Sequence, residues 1–411
     1  MAIAGSQKIF ILYIPGMDLR YLSPRDTPFL SQAFQQHSWA TIETQPSPEQ
    51  LSTVITGMNP HDHGVFQMKL LEPAELARKG SRLWEKAPDL LTTTYQCVRH
   101  QFCRDCDVPT IPPARRKSFE MHRLKFHGRR TTADLLQQLG DADSIASYLG
   151  PGRFEYSFTD RLADFDTVPD RAAMGDRQLE FLQLHALDMM GHWVLKTPEK
   201  RAAVYKRADK VIGIMSEKCR QRGIAMFAVS DHGQEPVTAT IDVRRQVREL
   251  DIDPAEFGYY LQPITARFWF HTESARQRIT TLFDGMPNGT ALRFWELEKF
   301  DIKFPTASYG ELFFIADPGF LFFPHDFHHP LVNLVFGLKD SQQRSRVFNP
   351  LHTAYHGYLP HHDSEKGWIV SLTEDYALRS RQMKLVDLMP SMLHVMGEKQ
   401  PGFMSGQNQI S

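Results

Sequence analysis

The sequence predicts an α/β protein with a mostly parallel central sheet flanked by helices and a second region inserted late in the chain. Three observations carry this expectation. The runs KIFILYI (8–14), IAMFAVS (224–230) and GWIVSL (367–372) are continuously apolar and of strand length, as strands buried on both faces require. Before the second run, Val204, Ala208, Val211, Ile212, Met215 and Cys219 recur at helical spacing, and Gly223 stops that helix, which makes an αβ unit. Acidic and imidazole side chains follow such runs directly, where a parallel sheet binds its ligands beyond the carboxyl ends of its strands.

Taken in order, the first run reads as a buried first strand. It is too short for a signal-peptide core and ends at Pro15 and Gly16. Residues 66–130 break the αβ rhythm with prolines, cysteines and the basic stretches ARRK and HGRR, an excursion from the core. Residues 234–350, rich in aromatics (FGYYLQ, RFWFH, ELFFIADPGFLFFPHDF), are long enough for a cap domain. The expected core is therefore 1–233 with 351–411. Near the end, Val386, Met389, Leu393 and Met396 share one helical face before Gly397.

Composition removes several function classes. The chain has 411 residues and 42% apolar content, with 47 basic against 48 acidic residues. That balance gives neither a footprint for a nucleic-acid polymer nor a polybasic membrane anchor. No run reaches the roughly 18 apolar residues of a spanning helix. Four cysteines in this length make no disulfide framework, so the cytoplasm is the expected location. No motif speaks to oligomeric state.

Four clusters carry chemistry. Asp18 follows the first run, and Asp231 with His232 follows the second; a turn or helix cap is the plain reading of each acid, metal ligation the functional one. In LQLHALDMMGHW, Asp188 and His192 are four apart, so both can meet one divalent ion if the segment turns there; a cap and a packing histidine are the alternative. Ser47, followed by Pro48 and by Gln50 three residues on, fits an N-cap with a capping box. That position also suits a phosphoryl group, and a serine there needs activation, which a metal supplies. In TAYHGYLPHHDSEKG, His356 is the candidate ligand, with His361 and His362 as rivals in a solvated loop. Together these give two three-ligand sets, and two divalent ions about 4 Å apart serve in-line displacement at phosphorus. A fifth group, Cys97, His100, Cys103 and Cys106, offers a structural zinc site, or merely packed or exposed thiols.

The order of motifs resembles the alkaline phosphatase superfamily and, within it, the type I phosphodiesterase/nucleotide pyrophosphatase family: Asp18 after strand one, Ser47, TGMNPHDHGV, LDMMGH, SDHG, a late HG and VDLMPSML. The resemblance covers the core and omits 66–130 and the cap. In that family the nucleophile stands nine residues before the Thr of the TG step and sixteen before the His of HG. Ser47 stands nine before Thr56 and sixteen before His63, whereas Thr44 and Thr53 do not fit. The resemblance implies an alkaline-phosphatase-like fold and two divalent ions, zinc foremost with manganese or iron as alternatives. Asp188, His192 and His356 would hold one, and Asp18, Asp231, His232 and the Ser47 alkoxide the other. It further implies hydrolysis of a small phosphorylated substrate through a phospho-Ser47 intermediate. The chain departs from the family in having Ser for Thr at the nucleophile, Leu19 after the first Asp where Gly is usual, and Met68 beside Gln67 where a phosphate-holding Asn is expected. A phosphomonoesterase or phosphonate hydrolase is the alternative within the superfamily. A non-catalytic binding protein on the same fold is the alternative outside enzymology. A sulfatase lacks its C/S-x-P-x-R arrangement here, and a phosphomutase is poorly matched after Ser47.

Overall fold

The computed structural model describes residues 7–47, 50–66, 69–70, 91, 119–120, 131–171, 176–325, 334 and 351–411. The chain divides into two compact units, one of Met1–Gly64, His127–Glu235 and Leu359–Ser411, the other of Val65–Phe126 and Pro236–Tyr358.

The main sheet of the first unit has seven strands: β1 (Ile9–Tyr13), β2 (Trp39–Glu43), β3 (Phe154–Thr159), β4 (Leu179–Leu184), β5 (Ala225–Ser230) and, numbered after the four strands of the second unit's main sheet, β10 (Gly367–Ser371) and β11 (Gln382–Lys384). Their order across the sheet is β11-β2-β10-β5-β1-β4-β3. β1 is parallel to both neighbours, with Tyr13 level with Gln183 on one side and Val229 on the other. The pairs β3–β4 and β2–β11 are parallel as well. Only β10 runs against its neighbours, so the sheet is mostly parallel, as expected from the apolar runs.

Alternation along β1 explains how both faces are filled. Ile9, Ile11 and Tyr13 enter one apolar cluster with the helix Leu388–Val395, while Phe10 and Leu12 enter the other with the helix Pro198–Gln221. The helical stripe read from the sequence is buried there: Val204, Ala208, Val211, Ile212, Met215 and Cys219. The same helix carries Asp209, which is buried and accepts from Phe29 N at 3.0 Å and Leu30 N at 2.8 Å. It thereby caps the helix Pro28–Gln36, whose own Thr27 makes no side-chain cap.

The second unit contains an antiparallel sheet of β6 (Phe257–Leu261), β7 (Thr265–Phe270), β8 (Gly289–Arg293) and β9 (Leu312–Ala316), in the order β6-β7-β9-β8. The helix Glu273–Asp284 packs on it. Phe283 lies 4.8 Å from Phe268 and 4.9 Å from Phe314, ring centre to ring centre, so these aromatics form a core.

Candidate active site

Parallel pairing of β1 with β4 and β5, and two antiparallel steps from β5 through β10 to β2, leave the carboxyl ends of four strands at one edge of the first unit. Asp18, Ser47, Asp188, Asp231 and His232 all follow those ends, and all are buried. The loops are tied together before any ligand is considered. Ser230 Oγ donates to His232 O at 2.9 Å and accepts from Met17 N at 3.1 Å. Trp368 of β10 donates its indole N–H to Met17 O at 2.6 Å. The 363–365 turn joins two more loops, since Gly233 N donates to Ser364 O and Thr44 Oγ1 to Glu365 O, both at 2.8 Å.

Two glycines permit this closeness. Gly16 has φ +74°, and a Cβ there would lie 3.0 Å from the Asp188 Cα. At Gly233 a Cβ would fall 2.2 Å from Asp18 Oδ2, so only glycine lets the Asp18 carboxylate rest on the 233–234 backbone.

Asp188 is the third residue of the helix Ala186–Val194, not its cap. Its Oδ1 accepts from Gln234 Nε2 at 2.6 Å and lies 3.6 Å from His192 Nε2, four residues on, as the spacing suggested. Oδ2 lies 3.8 Å from His185 Nδ1. Asp188 and His232 come from the two different ligand sets, yet their ligand atoms lie within 4.8 Å of each other. The His232 Nδ1 is 2.7 Å from Gly233 O; with the proton on Nδ1, the Nε2 lone pair is available to a cation.

Burial pushes the Asp231 carboxyl up from its usual range, against the pull of His232 and of the Tyr13 hydroxyl, which donates to Oδ2 at 2.6 Å. Burial works against protonating His232, but the carboxylates of Asp231, Asp188 and Glu365 outweigh it and raise the imidazole. Buried carboxylates and imidazoles crowded at one sheet edge are a donor set for a borderline divalent ion.

Asp18 is held differently. It accepts from Arg20 N at 2.8 Å, capping the short turn Leu19–Tyr21, which is the plain reading of this acid. It also accepts from the Arg20 guanidinium, from Nε at 3.1 Å and Nη2 at 2.8 Å, and from Gln234 N at 3.1 Å. Arg20 Nη1 reaches Glu235 Oε2 at 2.7 Å. Burial disfavours the guanidinium charge, but the Asp18 and Glu235 pairs override it and raise the Arg20 pKa.

One expectation needs correction. Ser47 is not the N-terminal flank of a helix: the helix is Leu51–Thr56 and its flank is Gln50, which makes no side-chain cap. Ser47 N donates to Gln45 O at 2.7 Å instead of to a capping-box partner. The Gln50 amide is used as a donor, to Gln45 O at 2.9 Å and to Ser47 O, because these buried loop carbonyls need partners.

His356 lies in the second unit, where it is buried and stacks 5.5 Å from Tyr355. Among its rivals, His361 is exposed and His362 half-buried, their rings 4.0 Å apart. Cys97, His100, Cys103, Cys106, Gln67 and Met68 lie outside the described residues. Sequence reasoning missed Gln234, Arg20, Tyr13, His185 and Glu365. The polar Gln-Glu pair after SDHG was the available signal for the first of these.

The model of the type I phosphodiesterase / nucleotide pyrophosphatase family matches residues 9–325. No curated protein matches at the sequence level. Among solved structures, human ectonucleotide pyrophosphatase / phosphodiesterase 5 is similar with a TM-score of 0.62 at 12% identity, over 96% of each chain. The murine protein of that name is similar at 15% identity over 98% of this chain and 100% of its own, with a TM-score of 0.57, or 0.58 for an inactive variant in complex with AMP. At these identities the structures speak to the fold.

Proposed function

This chain belongs to the type I phosphodiesterase / nucleotide pyrophosphatase family, whose members hydrolyse phosphate esters, and from that premise we propose that it is a metal-dependent phosphodiesterase acting through Ser47. The observation that carries the reading is the buried Asp188–His232 pair, with ligand atoms within 4.8 Å and the His232 ring fixed through Nδ1. The donor set fits the ions the family implies. Asp188, His192 and His356 are proposed to hold one, Asp231, His232, Ser47 and Asp18 the other, with zinc favoured over manganese or iron by the imidazole content. Such ions supply Lewis-acid stabilisation of charge on the phosphoryl oxygens and acidify a hydroxyl or water.

In the proposed reaction Ser47 Oγ loses its proton and attacks phosphorus in line, the P–O bond to the leaving group breaks, and an alcohol or phosphate departs. Water then cleaves the Ser47–phosphate ester and restores the hydroxyl. Gln234 fixes the Asp188 carboxylate, and the Tyr13 hydroxyl fixes that of Asp231. A small phosphorylated substrate is supported by the family and by the AMP complex of the murine relative. The second unit is the inserted region to which we assign the choice of substrate. The low cysteine content supports a cytoplasmic location, and among the described residues no helix is long and apolar enough to cross a membrane.

Hydrolysis of bis-p-nitrophenyl phosphate against p-nitrophenyl phosphate by zinc-loaded protein tests this reading. Preference for the diester, lost in Ser47→Ala, is expected. Preference for the monoester would make the chain a phosphatase, and activity surviving in Ser47→Ala would remove Ser47 as nucleophile.

A further inference from the structure

The Asp18 carboxylate already has a cation. A carboxylate offers about four lone-pair sites, and here four donors take them: Arg20 N, Gln234 N and two nitrogens of the Arg20 guanidinium. The two backbone donors are fixed by the turn at 18–21 and by the Gly233 contact. The guanidinium is the movable partner, for its side chain is one-third exposed and has a second anchor in Glu235. Asp188, by contrast, is held by the neutral Gln234 amide and faces imidazoles.

We infer that Arg20 is a built-in competitor for the second divalent ion: it occupies the Asp18 carboxylate until an ion displaces it onto Glu235, so the two ions load in sequence, the Asp188 side first. This rests on the metal site proposed above. Because a guanidinium does not deprotonate in proteins, Arg20 stays a cationic competitor for Asp18 throughout the working pH range, and ion concentration at fixed pH sets the outcome. An ion that takes Asp18 replaces one positive partner by another, so the buried carboxylate is never left unpaired, and Glu235 keeps the displaced arginine from being stranded.

The test is zinc uptake by the apo full-length chain at clamped free zinc, read by elemental analysis after equilibrium dialysis, with near-UV circular dichroism to verify folding. Wild type is expected to take two zinc ions in two separated steps. In Arg20→Ala the second step should move to at least about tenfold lower free zinc, the scale on which groups around ligands tune affinity. In Glu235→Gln it should move the other way, because the guanidinium then gives itself wholly to Asp18. The opposite signs guard against a general loss of structure, and if Arg20→Ala does not fold, the Glu235→Gln shift decides. A single two-ion step in wild type, or a second step unmoved in the variants, would overturn the competition while leaving the metal site standing. Absence of zinc uptake by folded wild type would overturn both.

Discussion

Gln234 offers a sharp test of how the site is supported. Its side chain is fully buried and its Nε2 bridges Asp188 Oδ1 at 2.6 Å and Asp188 O at 2.9 Å, while Oε1 rests against Gly191, where a Cβ would approach to 2.1 Å. Gln234→Ala removes both bonds, one of them to a charged acceptor, and frees Asp188 to rotate. A hydrogen bond to a charged group contributes about 1.5–3 kcal/mol, and each pKa-sized step of about 1.4 kcal/mol is a decade in an equilibrium constant. If the bond is wanted mainly by the ligating conformation, zinc affinity should fall about 10- to 100-fold, the range for lost support of a metal ligand. Competition against a chromophoric zinc chelator measures the affinity directly. Repeating Gln234→Ala in an Asp188→Asn background tests the route, since the loss should shrink once the carboxylate is gone. An affinity within twofold of wild type, or an equal loss in both backgrounds, would refute the claim that Gln234 acts through Asp188.

Two further outcomes are expected away from the ligands. Asp209→Ala should lower stability by about 1–2 kcal/mol, because it removes the cap of the helix Pro28–Gln36 from a buried position; urea unfolding should show a lower midpoint at unchanged slope. Cys219 is buried and its thiol is pushed up to about 12 by that burial, helped by Glu180 and opposed by Arg222. It should therefore resist iodoacetamide at pH 8 in the folded protein and react once urea unfolds it, as peptide mass mapping would show.

The strands β1, β5 and β10 were legible because each is buried on both faces and so reads as an unbroken apolar run. β2, WATIE, alternates between buried and half-exposed residues and carries no such run, although it is the strand that leads to Ser47. The helix Pro198–Gln221 showed its buried stripe at the right spacing. The Ser47–Gln50 pattern misled for a local reason: the helix starts at Leu51, and the Gln50 side-chain amide is spent on the buried loop carbonyls of Gln45 and Ser47.

Local sequence thus determined the strand ends, the acid and imidazole types placed after them, and the spacing that puts Asp188 and His192 on one helical face. It could not determine which of those groups meet. The approach of Asp188 to His232 depends on β4 and β5 flanking β1 and on two glycines that admit neighbouring atoms at van der Waals limits. Arg20 and Gln234 likewise look like ordinary surface residues until the sheet brings the 16–20 and 233–235 loops together. Ligand type is a property of single residues, but the charge each ligand already faces is a sum over neighbours distant in the chain, and only the folded sheet supplies those neighbours.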